Sequence, residues 1–367
     1  MTTKWSLYLR IPVCAFTAQI RAHQTYRGRR PWYNGRRTDP SPISQTGTAA
    51  AAFDFRSQGD FMNTTLHYQI PKAGSGRTIS VFLLDTGYSA RLLAHLRSTG
   101  GSFLLNGTPA FSNTLLQEGD HLTVQIKEKK CSAQISPSPV PLSVLYEDEH
   151  LAVINKPAGM PVHPSQGHRE DTLANAAAWH YRNQADSFVF RAVNRLDRDT
   201  SGLLLLANNM LSSCILSEQV GCHALHREYC AIVCGKPEPS GTVSLPIARK
   251  DGSTIERVCD AGRGDPAVTH YRLLAYNKDT DLSLIRLLLE TGRTHQIRVH
   301  MKAIGHPIPG DFLYHPDFRR IKRQALHSAL LRFSHPITGA SMEFTAPLPE
   351  DMSRLFPGDY DLLSPFG

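Results

Sequence analysis

Short apolar runs separated by polar turns dominate the chain from residue 142 onward. Residues 145–157, LYEDEHLAVINKP, predict a strand, a turn and a second strand, because polar residues separate two apolar runs. Further strands are predicted at 203–206, at 229–233 and around Leu284. A helix is predicted at 172–180, with Asp171 as its N-cap. Because irregular loops join these elements, the pattern predicts an α+β fold with a mixed sheet.

A smaller unit precedes this region, between residues 70 and 126. Residues 90–97, ARLLAHLR, have the apolar spacing of an amphipathic helix, and residues 103–110 contain the Asn-Gly pair of a tight hairpin. An alternating strand is predicted at 121–126. Residues 127–141 are rich in Lys, Ser and Pro and read as a linker, so the chain is predicted to hold two folded domains.

Residues 1–61 lack the periodicity of a folded core and carry nine Lys or Arg against three Asp. Three interpretations stay open: a transit peptide, a disordered RNA-binding tail, or an extension ahead of a natural start at Met62. The predicted organisation is an extension at 1–61, a small module at 62–130, a linker at 131–141, a large domain at 142–355 and a tail at 356–367.

Composition and charge limit the function classes. Of the 367 residues 41% are hydrophobic, and no apolar run approaches the ~20 residues of a membrane span. Seven cysteines form no CxxC pair, which favours free thiols and a cytoplasmic, reducing location. The net charge of +8 is concentrated in residues 1–61, so local clusters must carry any argument for nucleic-acid binding.

Four potential zinc ligands recur every four residues: Cys222, His226, Cys230 and Cys234. On one helix this spacing would bring them together. The run at 229–233 is predicted as a strand, in which a period of four spreads side chains over ~13 Å. No metal site is therefore predicted.

One acid stands out in residues 192–207, AVNRLDRDTSGLLLLA. Asp197 lies among apolar residues typical of a buried strand, ahead of a turn at 200–202. Arg195 lies two residues earlier, so in an extended chain both side chains leave the same face. The pair fits two interpretations, a structural ion pair at the end of a strand or a functional carboxylate.

A second segment, residues 289–300 with the sequence LETGRTHQIRVH, concentrates basic side chains. Arg298 and His300 alternate with apolar residues, which predicts a half-buried strand over 297–300. A further basic cluster at 319–323 lies near three aromatic residues, Phe312, Tyr314 and Phe318. Both clusters are predicted to contact phosphates.

These segments, together with INKPAGMPVHP at 154–164 and REYCAIVCG at 227–235, resemble the RluA branch of the RNA pseudouridine synthases in sequence and in order. The family pattern around the acid is His-Arg-Leu-Asp, then Thr-Ser-Gly and a leucine run; here Asn194 replaces the histidine. The resemblance covers about residues 142–349. It implies a pseudouridine-synthase fold, with a mainly antiparallel, curved sheet around a central catalytic cleft.

The resemblance implies that the protein converts specific uridines of ribosomal or transfer RNA into pseudouridine. This reaction breaks the C1′–N1 bond, turns the retained base and joins C1′ to C5. Because nothing is oxidised and nothing leaves, no cofactor, metal or nucleotide is expected, and one carboxylate can act as nucleophile or base. The implied catalytic residues are Asp197, Tyr229 and Arg298, and the implied substrate-binding residues are Asn194, Arg195, Arg293 and His295.

Each of these residues has an expected role. Arg298 is expected to pair with Asp197 and keep it ionised. Tyr229 is expected to stack on the target base and to handle its C5 proton. Arg195 is expected to fill the space left when the base is flipped out of the RNA stack. Five histidines are expected to be scaffold residues or RNA contacts: His163, His295, His300, His306 and His327.

The helix, hairpin and strand of the smaller unit resemble the S4 RNA-binding fold, on Arg91, Arg97, Asn106-Gly107 and Gly119-Asp120. Both an active RNA-binding module and one with weakened RNA contacts fit this pattern. We expect a monomer that acts on RNA. Two other classes stay open: a catalytically silent RNA-binding protein, and a glycosidase or nucleoside hydrolase, which would need a second carboxyl about 5 to 9 Å from Asp197.

Overall fold

The computed structural model describes residues 63–128, 135–183, 188–358 and 360. The predictions for residues 1–61, for part of the linker and for most of the C-terminal tail lie outside these residues. Residues 63–86 and 93–127 form one compact unit, and residues 87–92 and the chain from Glu128 onward form a second. Within the described residues, no helix has the length and apolar character needed to span a bilayer.

The elements up to residue 127 are β1 (Asn63–Gln69), a 3-10 turn (Lys72–Gly74), α1 (Ile79–Asp85), α2 (Ala90–Thr99), β2 (Phe103–Leu105), β3 (Thr108–Pro109) and β4 (His121–Lys127). The four strands form an antiparallel sheet in the order β1-β4-β2-β3. The predicted helix, hairpin and strand of this region are confirmed. Asn106 and Gly107 both have positive φ, 51° and 81°, as a two-residue type I′ hairpin turn requires.

The larger unit contains eleven further strands and four helices among the described residues. The strands are β5 (Val144–Glu147), β6 (Leu151–Lys156), β7 (Ser201–Ala207), β8 (His226–Cys234), β9 (Ser240–Ser244), β10 (Ile247–Arg249), β11 (Arg257–Cys259), β12 (Val268–Asn277), β13 (Leu282–Leu289), β14 (Leu326–Ser334) and β15 (Ser341–Thr345). The helices are α3 (Leu173–Tyr181), α4 (Met210–Gly221), α5 (Gln296–Ala303) and α6 (Glu350–Ser353).

Nine of these strands form one sheet in the order β5-β6-β7-β14-β8-β13-β12-β9, with β15 also paired to β14. All pairs in this sheet are antiparallel except β7 with β14, which run parallel. Strands β10 and β11 form a separate ribbon. The predicted α+β class with a mixed, mainly antiparallel sheet is confirmed.

The apolar runs in the middle of the sheet are continuous because both faces are covered. Along β6, Ala152 and Ile154 belong to one hydrophobic cluster, whereas Leu151 and Val153 belong to another. The leucines of β7 divide between the same two clusters in the same alternating way. A strand buried on both faces needs no polar alternation, which explains the LLLL run.

Helix α3 begins where the sequence predicts it, but its N-cap is Thr172 and not Asp171. The Thr172 hydroxyl accepts the Asn175 N–H, while the Asn175 side chain accepts the Thr172 N–H, so the two form a reciprocal capping box. Asp171 instead contacts the imidazole of His168. Asp171 is exposed and bonds to His168, whereas Thr172 is buried and bonds to Asn175.

The strand predicted at 297–300 is wrong, because these residues lie in α5. His295 precedes the helix in the left-handed conformation, with φ 58° and ψ 19°. Arg298 and His300 are as buried as the apolar residues beside them, because each finds polar partners inside the protein. Polar and apolar residues therefore alternate here without any alternation of exposed and buried faces.

Asp197 lies in an irregular segment, since β7 begins only at Ser201. The Asp197 carbonyl accepts the Thr200 N–H at 3.1 Å, which closes a turn. The strand expected around Arg195 and Asp197 is therefore not formed. Both residues nevertheless border the same cleft.

We expect Gly202→Ala to destabilise the protein by about 3 kcal/mol or more, from backbone strain and overpacking together. Gly202 lies at the parallel β7–β14 pairing with φ +106°, and a Cβ there would lie 2.2 Å from the Ser328 carbonyl oxygen. Urea unfolding followed by circular dichroism measures the effect.

The control is Gly221→Ala at the end of α4, where a Cβ would meet no atom within 4 Å. Its free energy of unfolding should rise or stay within about 1 kcal/mol of the wild type. Equal effects of the two substitutions would refute the tight packing at Gly202.

Candidate active site

A cleft of about 280 Å³ opens at the middle of the large sheet. Strand β8 and the ends of β13 and β14 contribute to its lining, together with the segment around Asp197 and the loop that leads into α5. Asp197 retains 28% of its side-chain exposure. It also borders a neighbouring hollow that is lined by His163 and Phe312. The carboxylate is therefore held by the protein yet open to a ligand.

The guanidinium of Arg298 joins two carboxylates. Its Nη1 donates to Asp197 Oδ2 at 2.8 Å, while Nε and Nη2 donate to the two oxygens of Asp311 at 2.6 and 2.7 Å. Arg298 and Asp311 are 2% and 0% exposed. Burial alone would lower the pKa of Arg298, but the bond to Asp311 and the charges of both carboxylates raise it above its usual value. Arg298 is thus a permanent cation that orients Asp197.

Asp311 is a site residue that the sequence analysis did not single out. Besides Arg298, its Oδ1 accepts the backbone N–H groups of Leu313 and Tyr314. It therefore fixes both the arginine and the loop after it. The sequence signal was a single acid in the segment 301–311.

His295 lies between this loop and the acid. Its Nδ1 is 2.9 Å from the Tyr314 hydroxyl, which also accepts the Arg257 N–H. Its Nε2 is 4.0 Å from Asp197 Oδ2, beyond a hydrogen bond. Burial lowers the pKa of His295, so the imidazole is neutral near pH 7. The structure thus brings His295 close to Asp197 without forming a salt bridge between them.

Lys156, at the end of β6, holds the segment that carries Asp197. Its fully buried Nζ donates to the carbonyl oxygens of Pro157, Met160 and Arg198 at 2.9, 2.8 and 2.9 Å. Burial lowers the pKa of Lys156 to about 7. Three carbonyl acceptors require three N–H bonds, which only the ammonium form supplies. The lysine lies in the quoted 154–164 block but gave no sequence signal of this role.

Tyr229 lies on β8, is 5% exposed and borders the cleft. Burial raises the pKa of Tyr229, so its hydroxyl is protonated at neutral pH. The phenol therefore offers the cleft an aromatic face and a hydrogen-bond donor.

Asn194 is buried, and its amide is used by the protein itself. Oδ1 accepts the Leu205 N–H at 2.8 Å, and Nδ2 donates to the Leu203 carbonyl at 3.3 Å. Arg195 is exposed, and Arg293 donates to the Pro266 carbonyl with 42% of its side chain still exposed. The expected substrate-binding residues thus divide into a scaffold residue and two arginines at the rim of the cleft.

Three of the expected histidines are bonded inside the scaffold. His300 contacts Thr269 and the Leu245 carbonyl, His306 contacts the Cys234 carbonyl, and His327 contacts Ser201 and the Ala346 carbonyl. In the basic cluster at 319–323, Arg319 pairs with Asp317, and Arg323 pairs with Asp351. Much of that cluster's charge is therefore balanced internally. In the described part of the chain, no three His, Cys, Asp or Glu side chains are grouped to hold a metal ion.

Comparison with known proteins identifies relatives of the chain. Residues 150–303 match the family model described as RNA pseudouridylate synthase. The chain is 42% identical over 283 residues to the uncharacterized RNA pseudouridine synthase YjbO of Bacillus subtilis, covering 77% of this chain and 99% of that protein. It is 42% identical over 265 residues to ribosomal large subunit pseudouridine synthase D of Zymomonas mobilis, covering 68% and 81%. A solved structure, human RNA pseudouridylate synthase domain containing 1, matches with a TM-score of 0.48 and 26% identity over 57% of this chain and 84% of its own.

We expect Asp311→Asn to lower the free energy of unfolding by ~3 to 5 kcal/mol, because it removes one partner of a buried ion pair. It should also lower the activity of the site, since Arg298 loses the fork that orients it. Urea unfolding and a single-turnover rate measure the two effects.

Asp317→Asn is the matched control, because Asp317 pairs with the largely exposed Arg319. It should change neither quantity measurably. A stable, fully active Asp311→Asn protein would contradict the orienting role.

Proposed function

The chain belongs to the RNA pseudouridine synthase family, and from this premise we propose that Asp197 is its catalytic carboxylate. The protein converts uridine in RNA into pseudouridine. In that reaction the C1′–N1 bond breaks, the uracil turns, C1′ bonds to C5, C5 loses its proton and N1 gains one. A carboxylate can assist either by bonding to C1′ or by removing a ribose proton.

One observation supports Asp197 above all: among the described residues that line the cleft, it carries the only carboxylate. Its Oδ2 is held by Arg298, while within the described chain Oδ1 has no hydrogen-bond donor. Both versions of the chemistry need one such uncommitted, ionised oxygen. Asp199 fits less well, because both of its oxygens accept bonds from Arg198.

The same observation weighs against a glycosidase or nucleoside hydrolase. Those enzymes generally use a second carboxyl about 5 to 9 Å from the first. In the described lining of this cleft, an arginine occupies the place beside Asp197. Release of free uracil from RNA would favour the hydrolase instead.

Tyr229 is proposed to stack on the flipped uracil. Its buried ring and protonated hydroxyl suit the flat face and the polar edges of a uracil. To accept the C5 proton, the Tyr229 hydroxyl must first lose its own proton. The exposed Arg195 at the rim is proposed to occupy the gap that the flipped base leaves in the RNA.

Large-subunit ribosomal RNA is the proposed substrate class, because several relatives are named ribosomal large subunit pseudouridine synthase D. Arg195 and Arg293 are exposed enough to meet phosphates of the same RNA. The expectations of a monomer and of a cytoplasmic location stay predictions.

Residues 62–130 are proposed to be an S4-like module that adds RNA affinity. The support is the order of its helices, hairpin and strand, and two arginines, Arg91 and Arg97, that lie exposed on α2. Such a module would strengthen binding equally for the ground state and the transition state.

Asp197→Asn should abolish pseudouridine formation while leaving folding and RNA affinity close to wild type, because it removes only the ionised oxygen. Tritium release from C5-labelled large-subunit ribosomal RNA measures the reaction, with labelled transfer RNA as the alternative substrate. Asp199→Asn is the control and should retain nearly full activity. Substantial turnover by Asp197→Asn would refute the assignment, and wild-type turnover of transfer RNA alone would refute the proposed substrate class.

Replacing Arg91 and Arg97 together by Gln should weaken RNA binding and lower the salt dependence of log Kd by about one per lost phosphate contact. The single-turnover rate at saturating RNA should stay within about tenfold of the wild-type rate. The lost contacts stabilise the ground state and the transition state equally, so their loss weakens binding and not the chemical step. Filter binding across salt concentrations and rapid quench measure the two quantities. A collapse of the saturated rate would show that the module helps to assemble the active site.

A further inference from the structure

Besides Arg298, a second buried arginine, Arg227, borders the cleft. The proposed function gives it no role. It lies two residues before Tyr229 on β8, so both side chains leave the same face of the strand. Arg227 is 7% exposed, and both residues border the cleft that holds Asp197. A guanidinium therefore lies buried beside the aromatic ring proposed to receive the base.

This guanidinium has no partner within the described residues. Its buried Nε lacks an acceptor, and no carboxylate pairs with Arg227 in the part of the chain that the structure describes. The adjacent Glu228 leaves the opposite face of the strand and pairs with Arg286 and Arg332. A mostly buried guanidinium whose Nε has no acceptor in the described chain favours an anionic or carbonyl partner from the cleft.

The loop ahead of α5 covers Arg227 closely. A Cβ at Gly292 would lie 2.9 Å from the Nη1 atom of Arg227. Only glycine therefore leaves the guanidinium in its present position. The loop and the end of the Arg227 side chain therefore lie in close contact, and a side chain at position 292 would displace one of them.

Two anions reach this cleft, a phosphodiester and the base itself after bond cleavage. The exposed Arg195 and Arg293 lie at the rim, where they are proposed to meet the RNA backbone. Arg227 is as deeply buried as Tyr229, at the level of the base. When the C1′–N1 bond breaks, its electron pair stays on the uracil ring and is shared among N1 and the carbonyl oxygens.

We propose that Arg227 donates a hydrogen bond to a carbonyl oxygen of the target uracil and stabilises the negative charge that the ring carries after C1′–N1 cleavage. This inference rests on the proposed function of the cleft. Arg227 keeps its protons throughout. Asp197 bonds to C1′ or takes a ribose proton as the C1′–N1 bond breaks; C5 then bonds to C1′ with the ring's electron pair, which releases Asp197 from C1′ or is accompanied by return of the proton to the ribose. Finally C5 loses its proton and N1 gains one. The guanidinium acts as a fixed donor aimed at charge that develops during the reaction.

The first test compares Arg227→Gln with Arg227→Lys. Arg227→Gln should lower the single-turnover rate at saturating RNA by about 10² to 10³, as loss of one preorganised donor does, while Kd for RNA changes less than about threefold. Arg227→Lys should recover part of the rate, because it restores the charge without the planar fork. Arg354→Gln, at an exposed arginine paired with Glu350, is the matched control and should match the wild type.

Thermal unfolding separates this role from a structural one. Because Arg227→Gln removes an unpaired buried charge, its Tm should equal or exceed that of the wild type. A lower Tm together with a proportionate loss of active protein would overturn the proposal. So would a raised Kd, a smaller salt dependence and an unchanged saturated rate, since these indicate a phosphate ligand.

Gly292→Ala is an independent variant that keeps the arginine and displaces it. It should reduce the saturated rate with RNA affinity unchanged, and an unaffected rate would overturn the proposal even if Arg227→Gln failed to fold. Asp197→Asn, measured in parallel, distinguishes the two ideas. If Asp197→Asn is active, the proposed function fails. If Asp197→Asn is inactive while Arg227→Gln and Gly292→Ala keep the wild-type rate, only the role of Arg227 fails.

Discussion

The active site depends on one buried cation held between two carboxylates. Arg298 is almost fully buried, and a guanidinium in that environment must find negative partners. Asp311 supplies a bidentate partner from inside the protein, and Asp197 supplies the second from the wall of the cleft. Since Asp311 also binds the backbone before Tyr314, the same charge network sets the loop that supports His295. The buried Arg298 therefore fixes the position of Asp197 through Oδ2, and Oδ1 stays available to a ligand.

The sequence predicted about half of the helices and strands in the described residues, namely those that apolar runs and turn residues mark locally. It also predicted Asp197 and Tyr229 as neighbours of one cleft, through short motifs. It failed at α5, where buried polar residues imitate the alternation of a strand. A prediction from periodicity treats polar residues as exposed. Arg298 is buried instead, because it pairs with Asp311, which lies thirteen residues further along and outside the pattern.

The roles that the sequence did not predict for Lys156 and Asn194 have one cause. Lys156 and Asn194 act on backbone carbonyl and amide groups of distant or neighbouring segments, and such bonds leave no trace in residue type or spacing. The cleft arginines illustrate the same limit. Arg195 is exposed, Arg298 is buried between two acids and Arg227 is buried without a partner in the described chain. Three arginine side chains of the same cleft thus differ in the ligands they can bind, because their burial and their partners differ.

The single parallel pairing in the sheet affects the order in which the protein can assemble. The turn after Asp197 is held by residues from the far end of the chain: Gln324 donates to the Thr200 hydroxyl, and Ser201 bonds to His327. More than a hundred residues separate the two sides of these contacts, so closing them carries a large loop entropy. During synthesis the segment bearing the acid emerges long before its clamp. A ribosome-bound chain that ends before β14 therefore carries the acid without the residues that hold its turn, so the cleft can form only after β14 has been made.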